Sequence, residues 1–369
     1  MRKVRLRLLF FISTIIFSGC ASASLLNAST VEYPFTKPNV SVGAKASSLS
    51  GCFVAIADDV SAIYWNPAGL SQIKSLEIYT VILNNTYWES THNQLNFFGL
   101  SFPTKYGIIG IGSYSPIDYY THLTVIATDE NGIATGTFEC NDEAINRNYT
   151  LADSINLFPF WTVGFAMNYI NQSRNEMIGT YYNKSQSGAG SSFNIGTIIR
   201  LGKIFDIGYN YRAPYTINWV RTVLRDGKIY SYDGYENIPL IQSAAFSLHS
   251  PAKKFFLSVD IEQQNWSNYK EIKGQGTDEG NYWLAGERMN ALFKDENPVR
   301  VGLGFNIFDG FALRAGLATG ADFDNMCSLG CSLFLSKCLN LELAYSFTNT
   351  FGESKSFVAG IKYDFQTGL

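Results

Sequence analysis

Five basic residues stand where an anionic partner could be bound: Arg200, Arg212, Arg300, Arg314 and Lys362. Each lies in a stretch that alternates with period two, on the face opposite the large apolar side chains. Asp260, Glu342 and Asp364 share that face. Two chemistries are open to such a set. One cation pairs with the carboxylate of an amphiphile, or the charges neutralise one another in a network, because unpaired charge in a confined space is costly. Histidine is scarce, with only His92, His122 and His249. Ser and Asn lie near each, but no nucleophile motif or carboxylate constellation is recognisable, so the chain reads as a non-enzyme. Cys327 and Cys331 have a spacing that suggests a metal pair. On a strand, residues four apart stand roughly 13 Å apart on one face, too far for one tetrahedral ion or a disulfide. The pattern therefore asks for no metal and no cofactor.

Positioning these charges requires strands, and the clearest is the last. Phe357, Ala359, Ile361, Tyr363 and Phe365 alternate with Val358, Gly360, Lys362 and Asp364. One face suits lipid and the other a wet lumen. The same dyad runs through Leu339–Phe347, Phe311–Leu317, Val299–Asn306 and Trp161–Tyr169. Short links near Pro103, Pro159, Gly202, Pro251, Asp309 and Lys337 alternate with longer polar links at 84–93, 128–147, 171–190, 220–237 and 264–297. Short turns on one side and long loops on the other mark a closed antiparallel transmembrane β-barrel. Asp226-Gly227 is a hairpin signal inside the fourth long link. If Gly107–Tyr114 and Asp118–Ile126 were separate strands, the count would be odd. An even count of about fourteen makes them one strand bent at Ser115-Pro116, where proline cannot donate to a ladder.

The chain has 369 residues, with 22 Tyr, 27 Phe, 32 Gly and 16% charged residues. No stretch beyond the N-terminus is long and apolar enough for a spanning helix, which leaves the barrel as the membrane architecture. The net charge of −3 gives no case for nucleic acid. Residues 1–23 read as a signal peptide: a basic start, an apolar run over Leu8–Phe17 and Ala21-Ser22-Ala23 at the cleavage site. Phe17-Ser18-Gly19-Cys20 also reads as a loose lipobox, so lipid attachment at Cys20 stays open.

Residues 24–75 precede the first strand and are rich in small side chains. Asp58 and Asp59 lie between two segments, Ala55–Asp59 and Ser61–Tyr64, that suit short helices, and Asn66-Pro67 suits a helix end. Gly43-Ala44-Lys45-Ala46, Phe53–Asp59 and Trp65-Asn66-Pro67-Ala68-Gly69-Leu70 resemble the N-terminal hatch of the FadL-type long-chain fatty-acid transporters of the outer membrane, a family with relatives that take up aromatic hydrocarbons. The resemblance implies a fourteen-stranded barrel (76–369) with a lumenal plug (24–75). It also implies a third-strand kink that opens the wall sideways, and Ser115-Pro116 falls on that strand. Asn66, Pro67, Ala68, Asp58 and Asp59 are then plug residues that gate the passage, with a plain turn that anchors the plug as the other reading of Asn66-Pro67-Ala68. Arg200, Arg212, Arg300, Arg314 and Lys362 are candidate partners for a carboxylate.

The function expected is uptake of hydrophobic compounds such as long-chain fatty acids, by plug rearrangement and lateral exit into outer-membrane lipid, in a monomer. A barrel that docks partners, secretion-associated or surface-exposed, without transporting fatty acids is the alternative. An apolar molecule gains about 25 cal/mol per Å² from leaving water, so a plugged barrel with a break in its wall suits it better than an open pore.

Overall fold

The computed structural model describes residues 40–87, 90–128, 134–178, 182–225, 227–252, 254–276, 294–320, 325–348 and 354–365. Residues 1–23, read above as a signal peptide, lie outside them, as do Cys20 and Asp226. Fourteen antiparallel strands close on themselves. They are β1 (Leu76–Tyr87), β2 (Ser90–Pro103), β3 (Ile108–Thr128), β4 (Ala134–Phe158), β5 (Trp161–Ile178) and β6 (Tyr182–Leu201), then three interrupted strands. These are β7 (Phe205–Arg212, then Tyr215–Arg225), β8 (Lys228–Ile238, then Ile241–His249) and β9 (Phe255–Gln264, then Lys270–Gly276). The barrel ends with β10 (Val299–Phe308), β11 (Phe311–Thr319), β12 (Met326–Phe334), β13 (Leu339–Thr348) and β14 (Ser354–Phe365). Both segments of β7 pair with β6, and the segments of β8 and β9 pair in the matching order, which makes each a single interrupted strand. β14 pairs with β1 from Leu76↔Phe365 to Tyr87↔Ser354 and shuts the cylinder.

Period-two alternation sets which way each side chain points. In β14, Phe357, Ile361 and Tyr363 are exposed outward while Val358 is buried inward. In β12, Leu329 faces out and Ser328 and Ser332 are buried, and Cys331 is a free thiol.

The longer polar links are shorter than their composition suggests. β3, β4, β5 and β6 run 21, 25, 18 and 20 residues, so most of 128–147 and 171–190 is paired ribbon. Polar residues on both faces remove the lipid signal, yet the backbone groups still pair across the hairpin. At the fourth link, Gly227 takes φ 74° between Arg225 and Lys228, a left-handed turn that glycine enters without steric cost. The barrel thus has a short-turn end and a long-strand end.

Residues 40–73 occupy the lumen at the short-turn end. α1 (Ala44–Ser47) and α2 (Ala62–Trp65) are single turns, followed by a 3₁₀ segment, Pro67–Gln72. Residues 55–59 are not helical, contrary to the sequence expectation. Asp59 instead accepts from the Ser61 amide at 2.9 Å, so its local backbone bond makes a turn rather than a helix cap. Apolar residues from this segment, including Leu49, Phe53, Ile63, Trp65 and Leu70, form one cluster with Tyr79, Val81 and Phe97 of the wall.

Candidate functional site

The Asn66-Pro67-Ala68 motif docks the lumenal segment against β4, β5 and β6. Asn66 is fully buried. Its Nδ2 donates to the carbonyls of Val54 at 2.9 Å and Thr197 at 3.1 Å, and its Oδ1 accepts from the Ala68 amide at 3.2 Å. The Ala68 carbonyl accepts from Ser154 Oγ at 3.0 Å. A Cβ on Gly164 would overlap the Pro67-Ala68 peptide, and one on Gly196 would overlap Asn66 Oδ1. These two wall glycines are therefore what lets the motif approach so closely.

Charges and polar groups hold the rest of the segment. Asp58 takes the Lys45 ammonium at 2.5 Å. Burial disfavours its charged form, but Lys45, Lys362 and Arg314 together hold the carboxyl below its ordinary value. For Asp59, burial wins: with Glu342 adding to it, the carboxyl is pushed up to about 6. Asp260 on β9 accepts from the amides of Phe53 and Val54 at 2.8 and 2.9 Å. Glu77 on β1 accepts from the Val60 amide at 2.7 Å. Tyr79 accepts from the Ala44 amide at 2.9 Å and donates to Glu342 at 2.6 Å.

Above this segment, toward the long-strand end, lies a cavity with about 560 Å³ of space between atoms, its open part included. Tyr64, Tyr114, Ile117, Tyr215, Ile241 and Trp266 give it apolar walls, and the amides of Asn146, Asn148, Asn168 and Asn194 give it polar ones. It sits where strands are broken. Pro116, Ala213, Pro239 and Trp266 line it, and the last three come from the interruptions of β7, β8 and β9. Proline removes a ladder donor in the middle of each of β7 and β8 at Pro214 and Pro239, so both strands are interrupted there. Arg212 is the cation that reaches this cavity. Its guanidinium lies 4.0 Å from the Tyr64 ring centroid and donates to Tyr64 Oη at 3.1 Å and the Tyr64 carbonyl at 3.3 Å. Tyr64 meets Tyr114 edge to face at 5.0 Å.

Ser115-Pro116 forms a bulge in the continuous strand β3. Its register with β4 slips between Tyr114↔Asn148 and Ile117↔Asn146. The pairing of β2 with β3 runs only from Pro103↔Ile108 to Phe97↔Tyr114. Beyond it, Ser90–Leu95 pair with β1 and, among the described residues, have no ladder to β3. Ser115 Oγ donates to the Ile117 and Asn146 carbonyls at 2.8 and 2.9 Å, which fixes the bulge. Asn96, fully buried, accepts from the Gly43 amide at 3.0 Å and donates to the Ser115 carbonyl at 3.4 Å. The Val40 amide donates to the Pro116 carbonyl at 3.2 Å. The lumenal segment and the wall break are thus in direct contact.

The structure distributes the five candidate cations. Arg212 joins the cavity and the other four do not. Arg300 pairs with Glu262 at 2.9 Å, and Lys362 lies 3.7 Å from Glu77. Arg314 is buried lower in the lumen, and Arg200 stands opposite Asp206 near the short turns. The expected acids take different parts: Asp260 and Glu342 are occupied by the hydrogen bonds above, and Asp364 stands opposite Glu77. Glu262 and Glu77 were missed. Both lie on lumenal parity, two residues from Asp260 and Tyr79 respectively, so that signal was present. Tyr64, Tyr114, Tyr215 and Trp266 carried no such signal, because their convergence depends on which strand breaks face one another. Of the histidines, His249 pairs with Asp206 at 3.0 Å and His122 with Glu139 at 3.0 Å, and His92 stacks on Tyr120 at 5.3 Å. All three stand apart from the cavity lining.

No protein-family model and no curated protein matches the sequence. Solved structures do match. The toluene transporter TbuX of Ralstonia pickettii superposes with a TM-score of 0.68 at 12% identity, over 88% of this chain and 98% of that one. The toluene transporter TodX of Pseudomonas putida gives 0.64 at 13%, over 89% and 99%. A Pseudomonas aeruginosa FadL homologue gives 0.63 at 12%, over 92% and 100%. Nearly the whole length of each is spanned, so the fourteen-stranded barrel of this chain has the fold of the FadL-type outer-membrane transporters.

Proposed function

We propose that the protein is an outer-membrane channel for hydrophobic compounds, with long-chain fatty acids or molecules of similar character as substrates. The carrying observation is that an aromatic-lined cavity abuts Pro116, at the point where β2 and β3 stop pairing. A hydrophobic compound gains free energy on leaving water for this cavity. Arg212 and the asparagine amides offer it polar contacts. A shift of residues 42–72 then clears the path, and the compound leaves between β2 and β3 into lipid without crossing an aqueous lumen. The contacts of Val40 and Gly43 with the wall break support a linkage between plug movement and exit. The fold shared with toluene transporters supports the substrate class.

The test is uptake of a labelled long-chain fatty acid and of toluene by cells or proteoliposomes carrying the protein, with and without a crosslink joining β2 to β3 beyond Tyr114. Uptake that stops on crosslinking and returns on its reversal is the expected result. Uptake unchanged by the crosslink rules out lateral exit here, and no uptake of either compound by the uncrosslinked protein rules out the function.

A further inference from the structure

The β2–β3 seam has an outer fastening as well as the inner contact made by Asn96. Arg147 on β4 falls between the register pairs Tyr114↔Asn148 and Ile117↔Asn146. It therefore stands directly across from the Ser115-Pro116 bulge. Its parity is that of Tyr149 and Leu151, which face outward and are exposed. From there its guanidinium crosses β3 and donates from Nη1 to the Leu95 carbonyl on β2 at 2.6 Å. Leu95 is one of the β2 residues to which β3 offers no ladder partner among the described residues.

One side chain thus spans three strands at the level where the backbone ladder fails. A charge-assisted bond of this kind is stronger than a neutral one. Arginine is suited to the task by its length and by a fork that keeps a donor aimed across the strand. The register slip at Ser115-Pro116 sets Arg147 opposite the bulge.

We propose that Arg147 is the outer clasp of the seam, holding β2 against β3 and β4 in the closed wall and releasing Leu95 when the wall opens. The clasp rests on the reading of the seam as an exit, but its geometry can be tested without transport. Spin labels at Thr91 on β2 and His122 on β3, both exposed, report the width of the seam in the assembled barrel free of added compound, in a background with the native cysteines replaced. R147Q is expected to raise the wide-seam population roughly tenfold or more, the effect of losing one charge-assisted hydrogen bond. R147K, which retains charge and a single donor group, should fall between R147Q and wild type. R174Q, which breaks the Arg174–Asp142 pair at 3.1 Å on β5 and β4, should leave the distance unchanged. Identical distributions in wild type, R147Q and R147K overturn the proposal, as does an R174Q variant that opens the seam equally. If R147Q fails to assemble, R147K against wild type decides alone. Because uptake is not read, a wild type that transports nothing counts against the proposed function and leaves this test intact.

Discussion

The two edges of the β1–β2 hairpin are built differently. On one side β1 meets β14 in twelve consecutive pairs, Leu76↔Phe365 to Tyr87↔Ser354. On the other, β2 meets β3 in seven, Pro103↔Ile108 to Phe97↔Tyr114, although β3 is 21 residues long. The first edge closes the barrel with backbone hydrogen bonds that no side chain can easily replace. The second continues on side chains: Asn96 inside, Arg147 outside, and the His92–Tyr120 stack above. A wall held by backbone is permanent, and one held by a few side chains can be opened at a cost of the same order as ligand binding. The lumen repeats the contrast, with a filled short-turn half and a cavity beside the seam.

The comparison breaks most visibly at the closing edge. Ile361 of β14 pairs with Thr80 on one side and Leu341 on the other. I361P should therefore remove a ladder donor from a strand paired on both sides and abolish the heat-modifiable barrel band on gels. If it assembles like wild type, the closing ladder is not what holds the barrel. The next effect lies in the lumen. D260A leaves the buried amides of Phe53 and Val54 without their acceptor, at about 3 kcal/mol. The lumenal segment should then become open to trypsin at Lys45 while the barrel stays assembled. Continued protection would mean that Asp260 does not hold it.

A smaller change sharpens the role of the motif. N66A removes two donated bonds and one cap, about 2 kcal/mol in sum. It should raise protease sensitivity less than D260A and lower hydrophobic uptake more than it lowers barrel yield. Uptake equal to wild type would leave the motif a plain anchor. The smallest effect is in pH. The Asp59 carboxyl sits at about 6 in the folded chain against an ordinary 3.8, so folding favours its protonated form. Seating of the lumenal segment should be firmest below the ordinary value and loosen as pH rises through about 6, with D59N flattening the slope. A wild-type protease profile that tightens across that range contradicts the assignment.

Much of this was legible because a barrel strand writes its surroundings into alternate residues. Phe357 to Phe365 could be sorted into lipid and lumen faces from the sequence, and the continuity of β3 through Ser115-Pro116, with its pairing disturbed there, followed from proline's missing amide and the even strand count. The links at 128–147 and 171–190 were misjudged for the same reason. A ribbon polar on both faces loses the alternation that marks a membrane strand but keeps its backbone pairing. Asn66-Pro67 was readable as a turn, whereas its acceptor on Thr197 was not.

The sequence by itself determined the periodicity, the strands and the faces on which charges lie, since these depend on neighbours along the chain. Tertiary structure decided which of those charges meet: Arg300 finds Glu262, Lys362 finds Glu77 and Arg212 finds Tyr64. It also decided that Pro116, Pro239 and Trp266 border one cavity, and that Arg147 reaches Leu95. Each of these rests on the register between strands and on the closure of the sheet. A single step of slip would turn the strand-borne side chains among them, such as Arg300, Lys362 and Arg147, to the other face.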